Sequence, residues 1–109
     1  MTKAELQKTL DEMVERIVAN FHPDRIILFG SHANGEPTID SDIDLLIVMP
    51  VKGSCRRQAN EIDRALADRT VPIDLIVMTP DQFKRQKDLI GTIVFEAVRG
   101  GKVIYERAA

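Results

Sequence analysis

Apolar residues recur at Leu6, Leu10, Met13, Val14, Ile17 and Val18, the spacing of one buried helical stripe. Thr2 and Glu5 stand three apart just before it. In that capping-box arrangement the hydroxyl and the carboxylate each satisfy a backbone N–H at a helix start. Pro23, within residues 20–24, ends this helix. Arg25-Ile26-Ile27-Leu28-Phe29 is a continuous apolar run stopped by Gly30 and predicts a buried strand. The chain then turns polar from Ser31 to Asp40, with Gly35 and Pro37 marking a loop and one helical turn expected after Ser31. Ile43 to Met49 predicts a second strand, broken by Pro50 to Gly53. Ser54 to Arg69 is helical in composition, with Ala59, Ile62 and Leu66 on one side.

Pro72 to Met78 predicts a third strand. Thr79-Pro80 with Gln82 is a helix start, since proline suits the first helical position and Gln82 completes a capping box. Helix continues toward Arg99, with Gly91 the point at which it can break. Gly100-Gly101 stops it, and Lys102 to Glu106 forms a short final strand. The order helix, strand, strand, helix, strand, helix, strand predicts an α/β domain, a mixed β-sheet with flanking helices. A length of 109 residues fits one domain spanning 1–109.

Composition narrows the function classes. A net charge of −2 lacks the basic excess of a dedicated nucleic-acid binder, so direct nucleic-acid binding is not expected. No apolar run is long enough to cross a bilayer, and the N-terminus has no signal core. The single cysteine, Cys55, cannot form an internal disulfide, and no Cys/His cluster has zinc-site spacing, so a reducing cytoplasm is expected. Cys55 and His22, the latter in the turn before Pro23, are assigned no chemistry. The basic clusters Lys84, Arg85, Lys87 and Arg56-Arg57 read as solvated helix faces, with contact to RNA or an acidic partner as the alternative.

Three acids interrupt the apolar strands. Asp42 and Asp44 open the second, and Asp74 lies near the start of the third. Burying an unpaired charge is costly, so carboxylates there call for a reason. Strand side chains alternate faces, so Asp42 and Asp44 point the same way. The helical link between these strands is the usual connection of parallel neighbours, which would bring Asp74 beside the pair. Any one of these acids would read as a solvent-exposed strand end. Three together repel unless a hard divalent cation joins them, and an all-oxygen set suits Mg²⁺ or Mn²⁺. Two such ions roughly 3.5–4 Å apart can clamp the attacking and leaving oxygens of a phosphoryl transfer.

Gly30-Ser31 closes the first strand. If that strand is antiparallel to the second, this pair lies at the same end as the acids. Glycine lets the backbone approach a ligand closely, and Ser31 offers a hydroxyl and an N–H at a nascent helix start, a favoured place for phosphate. Alone, Gly-Ser is an ordinary strand-to-loop turn; beside the acid trio it reads as a phosphate loop.

Ile26-Ile27-Leu28-Phe29-Gly30-Ser31, ten residues, then Asp42-Ile43-Asp44-Leu45-Leu46 resembles the signature of the DNA polymerase β-like nucleotidyltransferase superfamily. It is most similar to the minimal nucleotidyltransferases that pair with HEPN-domain proteins in toxin–antitoxin systems. Pro72-Ile73-Asp74-Leu75-Ile76-Val77 resembles that family's third-carboxylate strand, and the ending from Glu96 to Glu106 is also similar. The resemblance covers nearly the whole chain.

It implies that Asp42, Asp44 and Asp74 bind two Mg²⁺ ions, with Mn²⁺ as a substitute, and carry catalysis. Gly30 and Ser31, with Ser41 assisting, would hold the triphosphate of ATP. In-line attack on the α-phosphate would release pyrophosphate. Many relatives carry an arginine directly after Gly-Ser; this chain has His32, which offers no guanidinium fork to phosphate. The residues after the third strand are too few for the helical domain of larger relatives, so the acceptor surface is expected from a partner, a HEPN toxin whose hydroxyl receives AMP. The protein would then act as its antitoxin. The alternatives are a non-catalytic antitoxin that binds its partner and occludes it, and a transferase acting on a small molecule such as an aminoglycoside.

Overall fold

The computed structural model describes residues 2–33 and 42–108. Helix α1 (Lys3–Phe21) begins at the capping box: Thr2 Oγ1 accepts from Glu5 N at 3.1 Å, and Thr2 N donates to Glu5 Oε1 at 3.4 Å. It buries Leu10, Met13 and Ile17 and ends at His22, a left-handed cap (φ 51°) immediately before Pro23. Strand β1 (Arg25–Phe29) follows, then a 3₁₀ turn at Gly30–His32, strand β2 (Ile43–Val48) and helix α2 (Cys55–Ala65). Strand β3 (Ile73–Met78), helices α3 (Pro80–Gln86) and α4 (Ile93–Gly100) and strand β4 (Lys102–Glu106) complete the domain.

The sheet order is β3-β2-β1-β4. β1 is antiparallel to both its neighbours, while β2 and β3 are parallel, so the sheet is mixed. β2 alternates its side chains between two cores. Ile43, Leu45 and Ile47 pack with α1 and α2 on one face, while Leu46 and Val48 pack with Phe83, Val94 and Ala97 of α3 and α4 on the other. These five β2 residues are buried. At roughly 1.5–3 kcal/mol for each fully buried side chain, they outweigh the cost of one half-buried acid in the same strand.

Two boundaries depart from the composition. α2 ends at Ala65 rather than Arg69 because Leu66 is drawn fully into the core, and Arg69 Nη1 donates to the carbonyls of Leu66 (3.1 Å) and Asp63 (3.4 Å), capping the last turn. The helix after Thr79 divides at Gly91 (φ 95°), and Thr92 starts α4 by accepting from Phe95 N at 3.1 Å. No helix among the described residues is long and apolar enough to cross a membrane.

The paired glycines at the end of α4 do different jobs. A Cβ on Gly101 would run into Ala97 O and come within 2.7 Å of Leu28 O, whereas one on Gly100 would meet nothing within 4 Å. Gly101 therefore lets α4 lie close against β1. Urea unfolding should show Gly101→Ala destabilised by about 1–3 kcal/mol from overpacking. Gly100→Ala should be neutral or stabilised by up to about 1 kcal/mol, through a less flexible unfolded chain and better helix propensity.

Candidate functional site

Pairing fixes where the acids lie. In the parallel ladder Asp44 and Asp74 are direct partners, and Ile43 N donates to Pro72 O at 2.9 Å just ahead of them. In the antiparallel ladder Asp44 is opposite Phe29, so the turn after β1 arrives at the same rim. Register partners share a face, which puts Asp44 and Asp74 on the α3/α4 side, and Asp42 precedes Asp44 by one full side-chain repeat. Asp42 and Asp74 are exposed, and Asp44 is half-buried.

Gly30 completes the rim. Its φ of 74° lies in the region that favours glycine, and a Cβ built there would strike Asp44 Oδ2 and come within 3.2 Å of Asp44 Cγ. The 3₁₀ turn brings Ala33 N to Gly30 O at 3.1 Å, and it leaves Ser31 and His32 half-buried beside the acids. Ser41, expected to assist with phosphate, lies outside the described residues.

The electrostatics agree with this placement. Burial pushes the Asp44 carboxyl above the usual range, and the negative charges of Asp74 and Asp42 push it further, while His32 pulls the other way. His32 therefore acts on Asp44, a role the sequence does not reveal, because only its place directly after Gly30-Ser31 hints at it. Among the described residues no three His, Cys, Asp or Glu side chains close around a single point. The aspartates line one rim, and Asp42 and Asp74 are exposed there. An uncompensated set of oxygen ligands is what hard divalent cations neutralise, so Asp42, Asp44 and Asp74 are the residues that could hold them. A surface groove of about 580 Å³ between α1 and β4 is lined by none of the three.

A family model described as a nucleotidyltransferase domain matches residues 6–99. No curated protein matches the chain. Among solved structures, a Sulfolobus solfataricus protein assigned as a nucleotidyltransferase is 22% identical, with 92% of this chain and 79% of that one covered and a TM-score of 0.65. A toxin–antitoxin structure with AMP-PNP is 19% identical, covering 89% of this chain and 73% of that one with a TM-score of 0.57. The MntA–HpeT toxin–antitoxin, in a variant with two aspartates two positions apart changed to glutamate, is 18% identical over 89% and 73%, with a TM-score of 0.58. At such identities the likeness is one of fold.

The raised pKa of Asp44 makes stability depend on pH in a definite direction. The native state holds this proton more tightly than the unfolded chain, so the charged carboxylate costs stability at neutral pH. That cost fades as pH falls through the raised native value toward the ordinary carboxylate range. In chelator at pH 7, Asp44→Asn should melt higher than the parent by roughly 2–4 °C, a modest gain because the group is partly solvated. Calorimetry should show the gap shrinking as the buffer is made acidic.

Proposed function

The chain belongs to the nucleotidyltransferase domain family, and on that premise we propose that it transfers AMP from ATP to a hydroxyl group on a HEPN-domain toxin, acting as that toxin's antitoxin. The observation that carries this reading is the Asp44–Asp74 register pair, with Asp42 on the same face and Gly30 pressed against the Asp44 carboxylate. Asp42, Asp44 and Asp74 would hold two Mg²⁺ ions, with Mn²⁺ able to substitute, and these would supply neutralisation of the triphosphate and a lowered cost of deprotonating the acceptor hydroxyl.

The chain's own groups do the rest. The Gly30–Ser31 turn donates its backbone N–H groups and the Ser31 hydroxyl to phosphate oxygens, with Ser41 assisting. Because Gly30 has no side chain, the turn that would carry phosphate packs directly against the Asp44 carboxylate. The acceptor oxygen attacks the α-phosphorus in line. A new phosphorus–oxygen bond forms as the bond to the bridging α–β oxygen breaks. Pyrophosphate leaves with the electron pair, and the acceptor's proton passes to water at the exposed Asp74. Two structural neighbours support the reading: one toxin–antitoxin was solved with AMP-PNP, an ATP analogue, and the other had a pair of aspartates altered at the spacing of Asp42 and Asp44.

His32 favours a second reading. Arginine there would grip phosphate through two donors, a fork that histidine lacks. In that reading the protein binds its partner and neutralises it by occlusion, without turnover.

Incubation with α-labelled ATP, Mg²⁺ and a HEPN-domain toxin separates the two. Label should move to the partner, and Asp42→Asn, Asp44→Asn and Gly30→Ala should each reduce the rate by at least about 10²-fold, as should a chelator. Neutralisation that survives Asp42→Asn and Asp44→Asn, with no label transferred, would contradict the transfer reading and support occlusion.

A further inference from the structure

The two edges of the sheet are built differently. β4 is bulged opposite Ile26–Ile27 and carries Lys102 and Glu106 at its ends. Bulges and charges on an edge discourage another strand from pairing there. β3 keeps an unbroken register with β2 from Ile73 to Met78, and its only charge is Asp74. Among the described residues no strand pairs with the outer side of β3, and an apolar edge of this kind is a template for one more strand.

The ladder shows which backbone groups that edge offers. Pro72 O accepts from Ile43 N at 2.9 Å, and Met78 O accepts from Met49 N at 3.0 Å. Backbone groups alternate sides along a strand, so those of Ile73, Leu75 and Val77 face away from β2. Beside them runs a groove of about 410 Å³ between β3 and α2, with Cys55, Arg56, Ala59 and Asn60 on one wall and 74–77 on the other. Cys55 marks the end remote from the acids, since its Sγ donates to Gln82 Oε1 just beyond β3, at 3.6 Å. The exposed Arg56 next to it gives that end a positive charge, and Asp74 marks the other.

We infer that the open edge of β3 docks an extended segment of the acceptor protein as an additional strand, presenting a hydroxyl side chain at Asp74 and an acidic side chain at Arg56. The inference rests on the reading that the acceptor is a protein hydroxyl. The spacing follows from the geometry. Asp74 lies on the α3/α4 face and α2 covers the opposite one, so the two side chains of the segment point to opposite faces and stand an odd number of residues apart. Asp74 to Val77 spans roughly 10 Å at strand rise, which selects a separation of three.

The probe is a short capped peptide of alternating Thr and Val, with one Tyr and a Glu three residues from it. Two controls carry Lys for Glu, or N-methyl groups on the pairing edge. With the Glu peptide at saturation, amide exchange at Ile73, Leu75 and Val77 should slow at least 10-fold, while the N-methylated peptide leaves it unchanged. Arg56→Glu should reverse the preference between the Glu and Lys peptides. Exchange at those amides unaffected by any peptide overturns the proposal, and so does slowing that follows protein concentration alone, which would mean a second copy occupies the edge. Labelled AMP on the tyrosine is read separately. Protection without transfer supports the docking edge and counts against the transferase reading; transfer without protection overturns the docking edge.

Discussion

The register of β2 with its two neighbours is the constraint on which the rest depends. Setting Asp44 directly beside Asp74, and opposite Phe29, brings three carboxylates and the Gly30 turn to one rim. A slip of one residue in either ladder would send Asp44 to the other face or away from its partner. The register is held by Ile43, Leu45, Leu46, Ile47 and Val48, each buried against helices on one face or the other. The apolar strand thus pins in place the charges that it would otherwise exclude.

That arrangement keeps like charges together. Asp44 is pushed toward its neutral form by burial and by its two acidic neighbours, with His32 opposing them. Under the proposed function, binding of a cation and a polyphosphate would offset that repulsion. The same logic explains Gly30, where any side chain would be driven into Asp44. Residues that look unfavourable for folding gather at one rim, and the rest of the sheet obeys ordinary packing.

Much of this was legible in the sequence, for reasons that can be named. β1, β2 and β3 are apolar runs bounded by Gly30, Pro50 and Pro72 and broken only near their starts, by Arg25, Asp44 and Asp74, and the helix between β2 and β3 implied the parallel pairing that sets Asp74 beside Asp44. The capping boxes at Thr2 and Thr79 announced two helices correctly. The end of α2 was not legible, because it depends on Leu66 entering the core and on Arg69 reaching back to backbone carbonyls. Nor was the influence of His32 on Asp44, which arises from the fold of the Gly30–His32 turn. The contrast between the edges of β3 and β4 also needs the strand order and the bulge, which no local pattern encodes.

The proposed function requires that divalent cations gather at this rim. Adding Mn²⁺ in small steps to isotope-labelled protein, and following the loss of amide signals by paramagnetic broadening, tests it most directly. The account predicts that Gly30, Ser31, Asp42, Asp44 and Asp74 broaden first, while Arg25, Met49 and Thr79 at the opposite end of the sheet persist. Broadening that begins instead on the acidic face of α1 around Asp11, Glu12 and Glu15, or that is unchanged in Asp44→Asn, would contradict it.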